Sequence, residues 1–256
     1  GDVSAPPTHL DHIIHAGMPG GRDAQLADPV ARITVSTRTL TQLLRLARRH
    51  KAHLTFVSSI ETTEHLDPLN LEFGYFIGQR AGEALCAAYR AEHEVRSSVV
   101  RLSHVYGPGM PLEDPRVHAR IIRATVAGEP IVLRTDGRHE RIYTYVADAA
   151  EAVLRVARSG GQREATEAFD VLDEKGRITI RELAHATLRA AGRTPAVAVR
   201  LGEGPIPIRP EPTTLNLLPM HQLGWKPSIE LPDGLKRTIR WHQGRPESGT
   251  EAPDSG

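Results

Sequence analysis

The sequence contains very little cysteine and no long apolar run. Its single cysteine, Cys86, excludes an intramolecular disulfide and a cysteine-based zinc cluster, and is typical of proteins in a reducing cytoplasm. No apolar stretch approaches the roughly 20 residues of a membrane helix, and the first residues lack the apolar core of a signal peptide. The formal net charge is only +1, so no overall field attracts nucleic acid. We therefore expect a cytoplasmic protein without a membrane or nucleic-acid partner.

Short apolar runs alternate with amphipathic stretches along the 256 residues. The runs at 12–16, 53–59 and 97–102 predict strands, and the apolar spacing over 29–50 and 75–92 predicts helices. A helix is also predicted over 114–128, and Thr179 with Glu182 three residues later predicts a capping box at the start of another. Strands that alternate with helices in this way form βαβ units around a parallel sheet. The sequence therefore predicts an α/β fold.

Two features near the N-terminus resemble known sites but lack the required spacing. Gly17, Gly20 and Gly21 do not match the spacing of a dinucleotide-binding loop, and no acidic residue follows between Asp28 and Glu61. This favours a tight strand-to-helix turn. The histidines at 9, 12 and 15 alternate across a strand and would not converge on one metal ion, so we predict no metal site.

Chemically reactive side chains follow the ends of the predicted strands. Ser59 and Glu61 come at the end of one strand, and His104 follows the next. Tyr75 begins the helix between them. Because the carboxyl ends of parallel strands line one crevice, we expect Ser59, Glu61, Tyr75 and His104 to form a site that can move protons.

Several segments resemble the extended short-chain dehydrogenase/reductase family, in particular its nucleotide-sugar epimerases, dehydratases and decarboxylases. The segments are HIIHAGMP, VSSIETTE, YFIGQRAGEALCAAY, VVRLSHVYGPGM and GEPIVLRTDGRHERIYTYVADAAEAVL. The amino-acid sequence of these segments is most similar to that of UDP-glucuronate decarboxylases. The resemblance implies a Rossmann-like doubly wound parallel sheet with a small C-terminal α/β substrate lobe. The expected core comprises 1–110 and 145–170, the lobe 111–144 and 171–243, and a disordered tail 244–256.

The resemblance also implies binding residues for a small-molecule substrate of the UDP- or dTDP-sugar class. Arg141 matches the arginine that grips the substrate diphosphate, and Arg116, Arg134 and Tyr106 are further candidates. A surface ion pair of Arg141 with an acidic neighbour, Glu140 or Asp148, remains the alternative.

The positions that match the cofactor site depart from the family pattern. They are Ser58, His15, Ala16 and Gln79. Gln79 stands where the family has a lysine that holds the nicotinamide ribose and lowers the tyrosine pKa. A tyrosine without such a charge keeps its proton at neutral pH, so Glu61 or His104 becomes the candidate base.

The chain opens at a point that, by the resemblance, follows the third strand. The glycine-rich pyrophosphate loop and the first strands are therefore expected to be missing. We expect no cofactor to bind this chain alone, and NAD to bind only if those strands are supplied. The strand 12–16 would then form an exposed sheet edge, which predicts a homodimer or a partner chain that covers it. In the family, the helices matching 34–49 and 75–92 form the dimer interface.

Three functions remain open from the sequence. The first is an enzyme of nucleotide-sugar type with a degenerate NAD site and acid–base chemistry at Tyr75 and Glu61. The second is a cofactor-independent lyase, dehydratase, isomerase or cyclase that acts on a non-sugar metabolite. The third is a non-catalytic binding or scaffold protein.

Overall fold

A computed structural model describes residues 9–17, 29–63, 69, 74–160, 166–194, 199–202, 204 and 215–244. In chain order the strands and helices are β1 His12–His15, α1 Pro29–His50, β2 His53–Ser59, α2 Gly74–His93, β3 Ser97–Leu102, β4 His104–Tyr106, α3 Val117–Ala127, β5 Ile131–Val132, β6 Glu140–Tyr145, α4 Val146–Ser159, β7 Glu167–Val171, β8 Arg177–Thr179, α5 Ile180–Ala190, β9 Val199–Arg200, α6 Leu218–Gln222 and α7 Leu231–His242. Over the described residues, no helix is both long and apolar enough to cross a bilayer.

The chain divides into two compact units. The first contains the described residues within 1–103, 150–171 and 209–226. Its four-stranded sheet has the order β1–β2–β3–β7, and each pair of neighbours is parallel. The predicted α/β fold with a parallel sheet is confirmed.

Helices cover both faces of this sheet. On β3, Val99 packs with Leu40 of α1 and Cys86 of α2. The next residue, Val100, points to the other face and packs with Ala152 and Val156 of α4. Successive strand residues point to opposite faces, so a strand that is buried on both sides is a continuous apolar run. The sheet is therefore doubly wound, as the sequence predicts.

The second unit contains the described residues within 104–149, 172–208 and 227–256. Its strands run in the order β4–β6–β8, where β4 is parallel and β8 antiparallel to β6, and β5 pairs with β9. Its core is built from aromatic and aliphatic side chains, among them Tyr106, Tyr143, Leu183, Leu188 and Leu235.

A predicted capping box begins α5. The Thr179 hydroxyl accepts a hydrogen bond from the Glu182 backbone N–H at 3.1 Å, and the Glu182 carboxylate accepts one from the Thr179 N–H at 3.0 Å. These two bonds satisfy donors that a helix start leaves without partners. The start of this helix is confirmed at the residue where the sequence predicts it.

The helix predicted from residue 114 begins later, at Val117. Asp114 Oδ1 accepts from the Arg116 N–H at 2.9 Å, and the Arg116 backbone is extended. Pro115 lies between them, and the residue before a proline is disfavoured in helical conformation. The helix ends before Gly128, whose φ of 77° is the left-handed conformation common at helix ends.

The observed units also differ from the predicted domain bounds. Residues 104–110 cluster with the second unit because β4 pairs with β6. Residues 215–226 cluster with the first, where Met220 and Trp225 pack with Phe169. Gly20, Gly21 and the predicted tail beyond Gly244 lie outside the described residues.

Candidate active site

The end of β2 carries two of the predicted catalytic residues. Ser59 is the last residue of the strand, and Glu61 lies in the 3-10 turn Ile60–Thr63 that follows directly. The Glu61 backbone N–H donates to Ser59 Oγ at 3.3 Å, and both residues are half-buried. The structure therefore places Ser59 and Glu61 together at the carboxyl end of a parallel strand, where ligands of open α/β sheets bind.

The first helical turn of α2 places Tyr75 beside Gln79. The two residues are four apart, so they share one helix face. Gln79 Nε2 donates to Tyr75 Oη at 2.8 Å. Gln79 is buried, with 1% of its surface exposed, whereas Tyr75 is half-buried. A neutral amide thus contacts the phenol at the position where the resemblance implies a lysine.

The surroundings of Tyr75 do not fit the redox role of NAD. Gln79 supplies no charge, and its Oε1 is buried without a hydrogen-bond partner among the described residues. The neighbouring cation, Arg80, donates from Nε to the Thr62 carbonyl at 3.0 Å. Its guanidinium therefore binds the turn after β2.

A buried ionic network holds this turn in place. Glu83 of α2 accepts from Ser58 Oγ at 2.6 Å and from Thr62 Oγ1 at 2.9 Å. It also accepts from Arg101 Nε at 3.0 Å and Nη2 at 2.6 Å. Arg101 Nη1 in turn lies 3.6 Å from Asp170 Oδ1. The network joins β2, the turn, α2, β3 and β7.

The network includes Ser58, one of the predicted cofactor-site residues. Ser58 is 4% exposed and its hydroxyl donates to Glu83, so it has a structural contact, and its contact with a cofactor stays a prediction. The sequence did contain a signal for the network. Arg101 lies in a strand that is otherwise expected to be buried, and a buried charge requires an opposite charge nearby.

The two cofactor-site candidates on β1 have different surroundings. His15 is 6% exposed, and its ring stacks on that of Phe56 with the centroids 5.8 Å apart. Burial lowers the pKa of His15, so the neutral ring is favoured. Ala16 follows the strand and is exposed. The structure therefore gives His15 a packing role, and only Ala16 lies on the surface.

His104 belongs to an aromatic cluster of the second unit. Its ring centroid lies 5.6 Å from that of Tyr143 and 6.3 Å from that of His118. Among the described residues, neither ring nitrogen of His118 has a hydrogen-bond partner. Burial, together with the positive charge of Arg116, lowers the pKa of His118 to about 3. A histidine in a helix carries no sequence signal of its burial, so the pattern of residues gives no reason to single out His118.

Tyr106 lies in the core of the second unit. It is 2% exposed, and its hydroxyl donates to the Leu231 carbonyl at 3.4 Å. Burial raises the pKa of Tyr106 far above its ordinary range. The structure therefore gives this residue a packing role, in place of the predicted contact with substrate.

The three candidate arginines for the substrate diphosphate differ in what they already bind. Arg116 is exposed and binds the Asp114 carboxylate through Nε at 3.0 Å and Nη2 at 2.6 Å. Arg134 is exposed, and its backbone carbonyl accepts from the Gly204 N–H at 3.0 Å. Arg141 is half-buried on β6.

The alternative ion pair of Arg141 is not what the structure shows. Arg141 Nη1 donates to the backbone carbonyl of Glu140 at 2.7 Å, while the Glu140 carboxylate lies 3.5 Å from Arg177 Nη1. Asp148 instead accepts from Ser228 Oγ at 2.6 Å. Because a carbonyl does not neutralise a guanidinium, Arg141 keeps its charge for an anion.

Comparison with known proteins gives UDP-glucuronic acid decarboxylases among the relatives. UDP-glucuronic acid decarboxylase 6 of Arabidopsis thaliana is 25% identical over 249 residues, which are 91% of this chain and 70% of the relative. UDP-glucuronic acid decarboxylase 1 of Xenopus tropicalis is 24% identical over 245 residues, 91% of this chain and 56% of the relative. The chain thus spans little more than half the length of some of the curated relatives that it matches.

Solved structures show the same fold. UDP-glucose 4-epimerase of Thermus thermophilus in complex with NAD has a TM-score of 0.76 at 23% identity, over 92% of this chain and 78% of that one. A dTDP-glucose 4,6-dehydratase of Streptomyces venezuelae with NAD bound has a TM-score of 0.78 at 21% identity, over 91% and 73%. A model of the NAD dependent epimerase/dehydratase family matches residues 4–171, which is more than half of the sequence, and the chain therefore belongs to that family.

Proposed function

We propose that this chain is an acid–base enzyme of nucleotide-sugar type, in which Tyr75 donates a proton and Glu61 accepts one. In this proposal the chain by itself carries out no NAD-dependent redox step. The observation that carries the proposal is the hydrogen bond from Gln79 Nε2 to Tyr75 Oη at 2.8 Å. The amide holds the phenol in place, but it lacks the positive charge that would favour a phenolate.

The protonation states that follow suit a proton donor and a proton acceptor. A phenol ordinarily carries its proton at neutral pH, and a carboxylate does not. A phenol oxygen that accepts a hydrogen bond from an amide keeps its own proton for another acceptor. Tyr75 is therefore the acid. Glu61 is the base, and Ser59 Oγ, which accepts from the Glu61 N–H, fixes the turn that carries it.

A nucleotide-linked uronic acid is the substrate class that fits proton transfer without oxidation. The C5–H of a uronate lies next to a carboxylate and is more acidic than the C–H bonds of a neutral sugar. Glu61 would take the C5 proton, the C4–O bond would break, and Tyr75 would protonate the leaving hydroxyl to give water. A C4=C5 double bond forms, and no oxidant or reductant is needed. The names of the curated relatives, which are UDP-glucuronic acid decarboxylases, support this class.

Arg141 is the residue we propose for the substrate diphosphate. A planar guanidinium can bind two phosphate oxygens at once. Among the described residues, Arg141 binds a backbone carbonyl through Nη1, whereas Arg116 is already bound to a carboxylate. Of the predicted substrate residues, Arg141 therefore has the surroundings that best suit an anion.

The test is to incubate the chain with UDP-glucuronate in the absence of NAD. We expect a product lighter by one water molecule, with the ultraviolet absorbance of a conjugated carboxylate, and UDP-glucose as the control should give none. Tyr75→Phe and Glu61→Gln should each lower the rate by about 100-fold or more. A reaction that requires added NAD, NAD bound stoichiometrically to the purified chain, or an unchanged rate in Tyr75→Phe would contradict the proposal.

A further inference from the structure

A second candidate binding site lies in the first unit, at the opposite end of the sheet strands from Ser59. It is a cavity of about 790 Å³ between the C-terminal ends of α1 and α2 and the residues that lead into β2 and β3. Its volume is within the range of small-molecule sites. We call it the basic cavity, and its charged lining residues are Arg48, Lys51, Arg90, His93, Glu94 and Arg96.

The lining of the basic cavity is strongly positive. Four of these residues are arginine or lysine and only Glu94 is acidic, although the whole chain has a net charge of just +1. His93 lies 3.6 Å from Glu92. Among the described residues that line the cavity there is no phenylalanine, tyrosine or tryptophan on which a base could stack, which disfavours single-stranded nucleic acid as its ligand.

Two of the cations that line the basic cavity, Arg96 and Arg90, donate hydrogen bonds to backbone carbonyls. Arg96 Nη2 donates to the Lys51 carbonyl at 2.8 Å, and Arg90 Nη1 to the Glu94 carbonyl at 3.5 Å. Within the part of the chain that the structure describes, Arg48, Lys51 and Arg96 form no ion pair. A carbonyl orients a guanidinium without neutralising it, so Arg48, Lys51 and Arg96 can still attract an anion.

The backbone at this cavity is strained on both sides. Lys51 has φ 56° and Glu94 has φ 58°, and they are the two non-glycine residues of the described part with positive φ. Both follow a helix end, where glycine is the common choice, as at Gly128 after α3. At both helix ends backbone hydrogen bonds close the last turn, from the Ala52 N–H to the Ala47 carbonyl at 2.9 Å and from the Val95 N–H to the Tyr89 carbonyl at 3.2 Å. The two positions each place a charged side chain in the lining of the cavity.

From this arrangement we propose that the basic cavity binds a compact, multiply charged phosphate anion. Arginine forks match phosphate oxygens in pairs, and a lysine adds a point charge. This site is separate from the one proposed for the substrate diphosphate at Arg141, and it does not depend on the catalytic proposal.

The experiment measures the binding of inorganic pyrophosphate to the full chain by calorimetry at low ionic strength. Two variants relieve the same backbone strain with opposite changes of charge. Lys51→Gly should weaken binding about fivefold, and Glu94→Gly should strengthen it by a similar factor, as expected for one unit charge near an anion in water. Both variants should raise the unfolding midpoint, so a folding defect would not explain the loss in Lys51→Gly.

Controls separate the basic cavity from other sites for pyrophosphate. Arg48→Gln should weaken binding, whereas Arg45→Gln, on the same helix but outside the cavity lining, should not. Arg141→Gln tests the substrate site and should leave the cavity component intact. The proposal is wrong if Lys51→Gly and Glu94→Gly bind pyrophosphate equally well, or if Arg141→Gln removes all binding.

Discussion

The buried histidine of the second unit should make the stability of the protein depend on pH. His118 of α3 is 1% exposed, and burial is the largest cause that lowers its pKa to about 3. Arg116 and His104 lower that pKa further, while Asp114 raises it slightly. The ring also packs 5.5 Å from Tyr143. The folded protein therefore keeps this imidazole neutral.

The direction of the effect follows from proton binding in the two states. In the unfolded chain a histidine has a pKa of about 6.5, so between that value and about 3 the unfolded state binds more protons. Stability is therefore lost as the pH falls through this window. At about pH 4.5, roughly two units below the unfolded pKa, this one residue should cost about 3 kcal/mol relative to pH 7.

The assay compares the parent with His118→Leu, which has similar volume and no titration. Urea unfolding followed by circular dichroism gives the free energy of unfolding at about pH 7 and pH 4.5. The parent should lose about 3 kcal/mol more than the variant over this interval. His221→Gln, at an exposed position, is the control and should behave as the parent. If parent and His118→Leu lose the same free energy, His118 is not held neutral and buried.

Two further predictions concern the candidate active site. Gln79→Lys places a basic group beside Tyr75 Oη and should lower the pKa of this phenol relative to the uncharged Gln79→Met, measured by tyrosinate absorbance with Tyr75→Phe to assign the signal. Equal titrations in the two variants would contradict the assignment. Glu83→Gln leaves the half-buried Arg101 guanidinium without its bidentate carboxylate partner and should cost about 2 to 3 kcal/mol of unfolding free energy. Equal stability of the parent and Glu83→Gln would show that the network is solvated.

The spacing of apolar residues explains why most strands and helices of the first unit could be predicted from the sequence. The run SSVVRL predicts β3 because a strand that is covered on both faces must be apolar on both. The helix start at Thr179 and the contact between Tyr75 and Gln79 involve residues three and four positions apart, so local geometry alone brings them together. These features depend on spacing along the chain.

The contacts of two other site residues, Tyr106 and Ser58, could not be predicted from spacing along the chain. Tyr106 was predicted to contact substrate, but it packs in the core because Leu231, more than a hundred residues later, provides the acceptor for its hydroxyl. Ser58 was predicted at the cofactor site, but Glu83 on the next helix accepts its proton. Neither partner lies at a spacing that a local pattern could reveal.

The sequence by itself determined the alternation of strands and helices, the family, and the replacement of a lysine by Gln79, because each of these is written in residue type and spacing. Only the tertiary structure decided which polar groups are buried and what they bind: Gln79 on Tyr75, Glu83 on Arg101, and His118 among aromatic rings. The physical reason is that burial and pairing are set by contacts between distant segments, and these contacts decide whether a side chain keeps its proton, its charge and its access to a ligand.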